Sequence, residues 1–146
     1  MQRLEAPSVL GYSAAGEVIA VAADCARVRP GDPSPVEEGY ANHAEVNFVP
    51  KHLLTRVPDG VGAEQAAYAT LGAVAIQGVR QGEVRLGDRV VVIGLGLAGL
   101  IVVQLVSAAG GRVLALDFEP EVCALAKRLG AELAVPRTGR AGRGDR

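Results

Sequence analysis

The stretch Val90-Val-Val-Ile-Gly-Leu-Gly-Leu-Ala-Gly99, with its continuation to Arg112-Val-Leu-Ala-Leu-Asp117, decides how this 146-residue chain is read. From Val90 to Ala109 only Gln104 and Ser107 are conventionally polar, which is about the length a membrane helix needs. Gly94, Gly96 and Gly99 interrupt the run, and β-branched residues crowd its first part. Strand, turn and helix therefore describe it better than one apolar span. Residues 90–93 form a fully apolar run of strand length, as a parallel strand covered on both faces requires. A helix is expected over residues 97–109, closed by Gly110 and Gly111. A second strand over residues 112–116 ends at Asp117. Pro120 suits the first turn of another helix, which Gly130 ends, with Lys127 and Arg128 at the negative end of its dipole. A third strand is expected at residues 131–135, stopped by Pro136.

Gly94-Leu95-Gly96-Leu97-Ala98-Gly99 is a G-x-G-x-x-G segment, weak evidence alone because Gly- and Leu-rich sequence produces it by accident. Its context is more specific: it follows an apolar strand, opens a helix, and precedes by 23 residues an acidic side chain, Asp117, at the end of the next strand. That is the arrangement of a dinucleotide-binding turn. Gly94 permits the tight turn, Gly96 lets the backbone approach a pyrophosphate, and Gly99 lets helix and strand pack closely. The helix N-terminus then offers free N–H groups and partial positive charge to phosphate. Asp117 is expected to accept hydrogen bonds from ribose hydroxyls and to repel a 2′-phosphate, favouring NAD over NADP. The competing structural explanation is that Gly96 and Gly99 serve helix packing only and Asp117 caps the next helix. Phe118 and Glu119 stand either beside an adenine or in a solvated turn.

The sequence before this stretch has another texture. Short β-like runs at residues 16–21 and 44–49 lie between Pro and Gly clusters, pointing to irregular antiparallel structure. Residues 33–39 read as poor in strand. Residues 63–80 are Ala-rich, with Leu71, Val74 and Val79 near helical intervals, and a helix is expected there after the Pro58-Asp59-Gly60 turn. No internal repeat is visible. The 15 Lys and Arg balance 16 Asp and Glu, giving a net charge of -1, which excludes a strongly basic nucleic-acid binder and an acidic disordered tail. Aromatics make up 3% with no Trp, so base-stacking surfaces are not expected. The tail from Arg137 to Arg146 holds four Arg and one Asp without apolar periodicity and is expected to be disordered; its Arg143-Gly144-Asp145 tripeptide reads as chance. Cys25 and Cys123 form no CxxC pair, no signal peptide is evident, and a reduced cytoplasmic protein is expected.

With these residues in hand, residues 5–135 resemble the medium-chain dehydrogenase/reductase superfamily, the relatives of zinc-type alcohol dehydrogenases. The matching stretches are Leu10-Gly-Tyr-Ser-Ala-Ala-Gly-Glu-Val18, Arg29-Pro-Gly-Asp32, Tyr40-Ala-Asn-His-Ala-Glu45, Val57-Pro-Asp-Gly-Val61, Leu86-Gly-Asp-Arg-Val90 and the glycine segment. The resemblance implies an α/β protein: a partial GroES-like β domain (residues 1–60), a connecting helix region (61–84) and the first half of a Rossmann domain (85–136), followed by the basic tail. It implies an NAD(P)-dependent oxidoreductase acting on a small alcohol, polyol, sugar or carbonyl compound. A quinone or enoyl reductase, or a non-catalytic nucleotide-binding fragment, is the alternative.

Departures from the family pattern carry equal information. Zinc-bearing members have Gly-His-Glu where this chain has Gly11-Tyr12-Ser13, and a later ligand position aligns near Ala69, which has no donor atom. The cysteine-rich lobe of a structural zinc is also missing, and two remote cysteines cannot supply four thiolates. No zinc is expected, and His43 and His52 read as surface or cleft residues. Tyr12 stands near the missing metal, where its hydroxyl is a candidate to polarise a carbonyl or relay a proton; a structural role for it is the competing reading. This Tyr-Ser version is similar to the zinc-free front half of bi-domain oxidoreductases found with bacterial polysaccharide synthesis genes. Family members run to roughly twice this length, so the chain reads as truncated at both ends, with exposed strand edges favouring self-association. Small-molecule substrates, no nucleic acid, no membrane and a homo-oligomer complete the expectation.

Overall fold

Strand β1 (Ala14–Glu17) pairs antiparallel with β2 (Pro33–Val36), Ala14 opposite Val36 and Glu17 opposite Pro33. The computed structural model describes residues 10–36 and 40–137, and the chain divides into two units, Met1–Leu71 and Gly72–Arg146. In the first unit β2 corrects the expectation of a strand-poor segment. Its two prolines do not break the ladder, because Pro33 turns its carbonyl to the Val57 amide (3.0 Å). N–H and C=O of one extended residue share an edge. Pro33, and by alternation Pro35, thus place their missing donors away from β1.

The strand expected at residues 16–21 is confined to its beginning. Beyond Glu17, Val18 still exchanges main-chain bonds with Asp32 and Gly31, but Ile19 and Val21 are exposed. Residues 44–49 form no strand: 44–46 are bends and 47–49 are irregular. Asn47 spends its side chain on both main-chain groups of Asn42, accepting from its amide at 3.2 Å and donating to its carbonyl at 3.3 Å, a local closure that competes with strand pairing. A single 3₁₀ turn, Lys51–Leu53, follows.

The helix expected over residues 63–80 is two helices, α1 (Ala63–Ala66) and α2 (Ala69–Gln81). The interruption falls where the Ser13 hydroxyl donates to the Ala67 carbonyl. Among the described residues the two buried polar side chains of this unit are satisfied: the Ser34 hydroxyl donates to the Thr55 carbonyl at 2.8 Å, and the Thr70 hydroxyl to that of Val36 at 3.4 Å.

In the second unit the order read from the sequence is the order observed: β3 (Arg89–Ile93), α3 (Leu97–Ala108), β4 (Arg112–Asp117), α4 (Pro120–Arg128) and β5 (Leu133–Pro136). The three strands are parallel in the order β3-β4-β5, Val90 beside Val113 and Leu114 beside Leu133. β5 starts later than expected and runs through Pro136, which the edge position permits. Alternate strand residues Val92, Val113, Ala115 and Ala134 are buried with Val103 and Val106 of α3 and Cys123 and Ala126 of α4. The opposite face of the sheet is open, with Ile93 73% and Val91 54% exposed. A bidentate pair, Arg112 with Glu132, ties the start of β4 to the residue before β5 (Nε to Oε2, 2.6 Å). The segment of residues 138–146 expected to be disordered lies outside the described residues. Among the described residues no helix is long and apolar enough to cross a membrane.

Candidate functional site

β3 delivers the chain to Gly94, whose φ of +88° is strained for any residue with a side chain. Its amide donates to the Leu116 carbonyl (2.9 Å), extending the β3–β4 ladder by one step. Leu95 then buries its side chain, 1% exposed, and donates its amide to Oδ2 of Asp117 at 2.6 Å. The turn is thereby pinned from both sides, by an apolar anchor and by a charge-assisted hydrogen bond.

Gly96 is the N-cap of α3 and no side chain caps it. A Cβ built on Gly96 meets nothing within 4 Å, so the space before the helix is open. The first bond of α3 runs from the Leu100 amide to the Gly96 carbonyl (2.9 Å). The amides of Leu97, Ala98 and Gly99 therefore have no partner among the described residues, as the first turn of a helix dictates. Gly99 is constrained differently: a Cβ there lies 2.0 Å from the Gly94 carbonyl oxygen. Only glycine allows the helix to approach its own strand so closely.

Asp117 ends β4. Besides the Leu95 amide on Oδ2, its Oδ1 accepts from the Glu119 amide at 3.1 Å. The Leu95 amide, then that of Glu119, hold the carboxyl below the ordinary carboxylate range. Each carboxylate oxygen keeps a further acceptor position. Three free amides, a helix dipole and an ionised acid bordering an open space fit a ligand that presents phosphate to the helix and hydroxyls to the acid.

The structure thus brings together Gly94, Gly96, Gly99 and Asp117, with Leu97 and Ala98 supplying amides. Leu95, counted among the binding residues from sequence, has its amide committed to Asp117. Tyr12 belongs to the other unit, is 42% exposed, and its hydroxyl has no partner among the described residues. Ser13 is spent on Ala67. His43 and His52 are both exposed, and no three His, Cys, Asp or Glu side chains converge among the described residues. An open trough of about 510 Å³ in the first unit, walled by Ile19, Val21, Val46 and Phe48, also meets Glu17, Asp24, Cys25 and Glu45, no three of which converge. Arg137, whose amide donates to the Asp117 carbonyl at 2.6 Å, was not expected beside the site.

No family model matches the chain. Comparison with characterised proteins finds (R,R)-butanediol dehydrogenase of Bacillus subtilis, 30% identical over 156 positions that span 90% of this chain and 45% of that enzyme. D-guloside 3-dehydrogenase of Escherichia coli is 33% identical over 134 positions, spanning 89% of this chain and 37% of the enzyme. Its homologues are medium-chain dehydrogenases and reductases. Among solved structures, a mycobacterial protein complexed with NADPH superposes with a TM-score of 0.81 at 31% identity, covering 92% of this chain and 43% of that one. Medium-chain reductases named as quinone oxidoreductases are also similar. The chain spans less than half the length of the medium-chain dehydrogenases it matches. The similar solved structures carry GroES-like and Rossmann domains, and the chain covers less than half of them.

Proposed function

We propose that this chain carries the coenzyme-binding portion of an NAD(P)-dependent, zinc-independent dehydrogenase acting on a small alcohol, polyol, sugar or carbonyl compound. The observation that carries the reading is the Gly94–Gly99 turn clasped by Asp117, with the α3 amides facing open space. The amides of Leu97, Ala98 and Gly99 receive the pyrophosphate, Gly96 leaves it room, and Asp117 takes the ribose hydroxyls. The nicotinamide coenzyme, when bound, supplies hydride transfer.

Asp117 favours NAD over NADP, because a carboxylate at the ribose repels a 2′-phosphate. Zinc independence rests on donor chemistry: a phenol at Tyr12, an alcohol at Ser13 and a methyl at Ala69 replace imidazole, carboxylate and thiolate. Tyr12 is the residue on which we place the polarisation of the substrate oxygen. Two unpaired cysteines, Cys25 and Cys123, suit a reducing cytoplasm. The NADPH-bound neighbour and the neighbours named as quinone oxidoreductases together favour a second reading, a quinone reductase that prefers NADPH.

Calorimetric titration of the chain with NADH and NADPH tests the proposal. Tighter binding of NADH, with the gap shrinking in Asp117→Ser, is expected; preference for NADPH in the unaltered chain selects the second reading, and no binding of either rejects both. Turnover with a polyol panel, compared between the chain and Tyr12→Phe, then separates an enzyme from a nucleotide-binding module. One tightly held zinc per chain in a metal assay overturns the role given to Tyr12.

A further inference from the structure

The adenosine end of the proposed coenzyme site carries a cation that the glycine turn does not explain. Asp117 stands opposite Pro136 in the β4–β5 register, so Arg137 is the first residue past the sheet at the carboxyl ends of its strands. Open parallel sheets take their ligands at that end. The Arg137 amide donates to the Asp117 main-chain oxygen at 2.6 Å, which fixes its backbone beside the acid. Its guanidinium lies over the ring of Phe118, 5.9 Å from the centroid, and that ring is exposed. No ion pair involves Arg137 among the described residues. A cation thus rests on the ring of the residue that follows Asp117, whose two carboxylate oxygens already accept main-chain N–H groups.

These positions have opposite consequences for a phosphate on the ribose. Asp117 repels it. A guanidinium seated on the ring of the next residue, Phe118, attracts it, with a planar fork that matches phosphate oxygens. Resting on the nucleotide reading above, we propose that Arg137, seated on Phe118, is a specificity-determining residue that offsets Asp117 and lets the ribose end accept a 2′-phosphate. The site then takes NADPH as well as NADH, with a preference for NADH smaller than Asp117 alone would give. The ring of Phe118 acts as the platform that keeps the guanidinium at the site instead of in solvent.

The full chain and its Arg137→Gln and Phe118→Leu variants are titrated with NADH and with NADPH at low and high salt, and thermal melting checks that each variant folds. Arg137→Gln is expected to weaken NADPH on the order of fivefold, the scale of an exposed charge pair, and to leave NADH unchanged. Phe118→Leu weakens NADPH by less, and the effect of Arg137→Gln shrinks as salt rises. Equal weakening of both coenzymes by Arg137→Gln, or no change for either, overturns the proposal while leaving the nucleotide site intact. An unaltered chain that binds neither coenzyme removes the site itself, and the proposal with it.

Discussion

Asp117 binds with both its side chain and its main chain: the carboxylate takes the amides of Leu95 and Glu119, and the carbonyl takes that of Arg137. The Leu95 amide first, then that of Glu119, favours the ionised carboxyl and lowers its pKa from the ordinary value of 3.8. A lowered folded-state pKa means that the grip on Leu95 is complete at neutral pH and is lost only as pH falls through the depressed value. In an amide NMR titration the Leu95 signal should move with a midpoint below 3.8; a midpoint at or above that value contradicts the assignment. The acid was legible in the sequence from its distance to the glycines and its place at a strand end. The grip on Leu95 was not, because a main-chain N–H leaves no mark on residue identity. Arg137 is illegible for another reason: its sequence context is that of the basic tail, and only the register of β5 carries it to Asp117.

At the scale of elements, Gly96 and Gly99 separate two jobs that the G-x-G-x-x-G pattern lumps together. A methyl group at Gly99 meets the Gly94 carbonyl, whereas one at Gly96 meets nothing. Gly99→Ala should therefore force α3 off β3 and destabilise the second unit by about 1–3 kcal/mol in a denaturant melt. Gly96→Ala should melt like the parent and bind NADH several-fold more weakly, since its methyl group occupies the phosphate space. The reverse pattern would refute this division of labour. The elements of the second unit were readable because glycines, Pro120 and apolar runs punctuate them at every boundary. In the first unit Pro and Gly clusters mark the gaps between runs but not which runs pair. Its strand at Pro33–Val36 hides behind prolines whose missing donors face away from the partner, and residues 44–49 alternate like a strand yet have no buried face, with Phe48 89% exposed.

For the molecule as a whole, apolar surface left uncovered is the dominant physical fact. Ile93, Val91 and Leu133 are exposed on one face of the parallel sheet, and an open apolar patch of this kind favours association. Sedimentation should show mass rising with concentration, and Ile93→Lys should suppress the rise; a parent chain that stays monomeric throughout argues against it. The two units are also unequally filled. Five apolar residues, Val28, Val36, Ala41, Val57 and Ala66, are buried among the described part of the first, against a ten-residue cluster in the second. Heat should consequently be absorbed in two stages, the thinly packed half melting early, so that no single melting temperature describes the molecule. Saturating NADH stabilises only what holds it: a calorimetric scan should show the later peak climbing while the earlier one stays where it was.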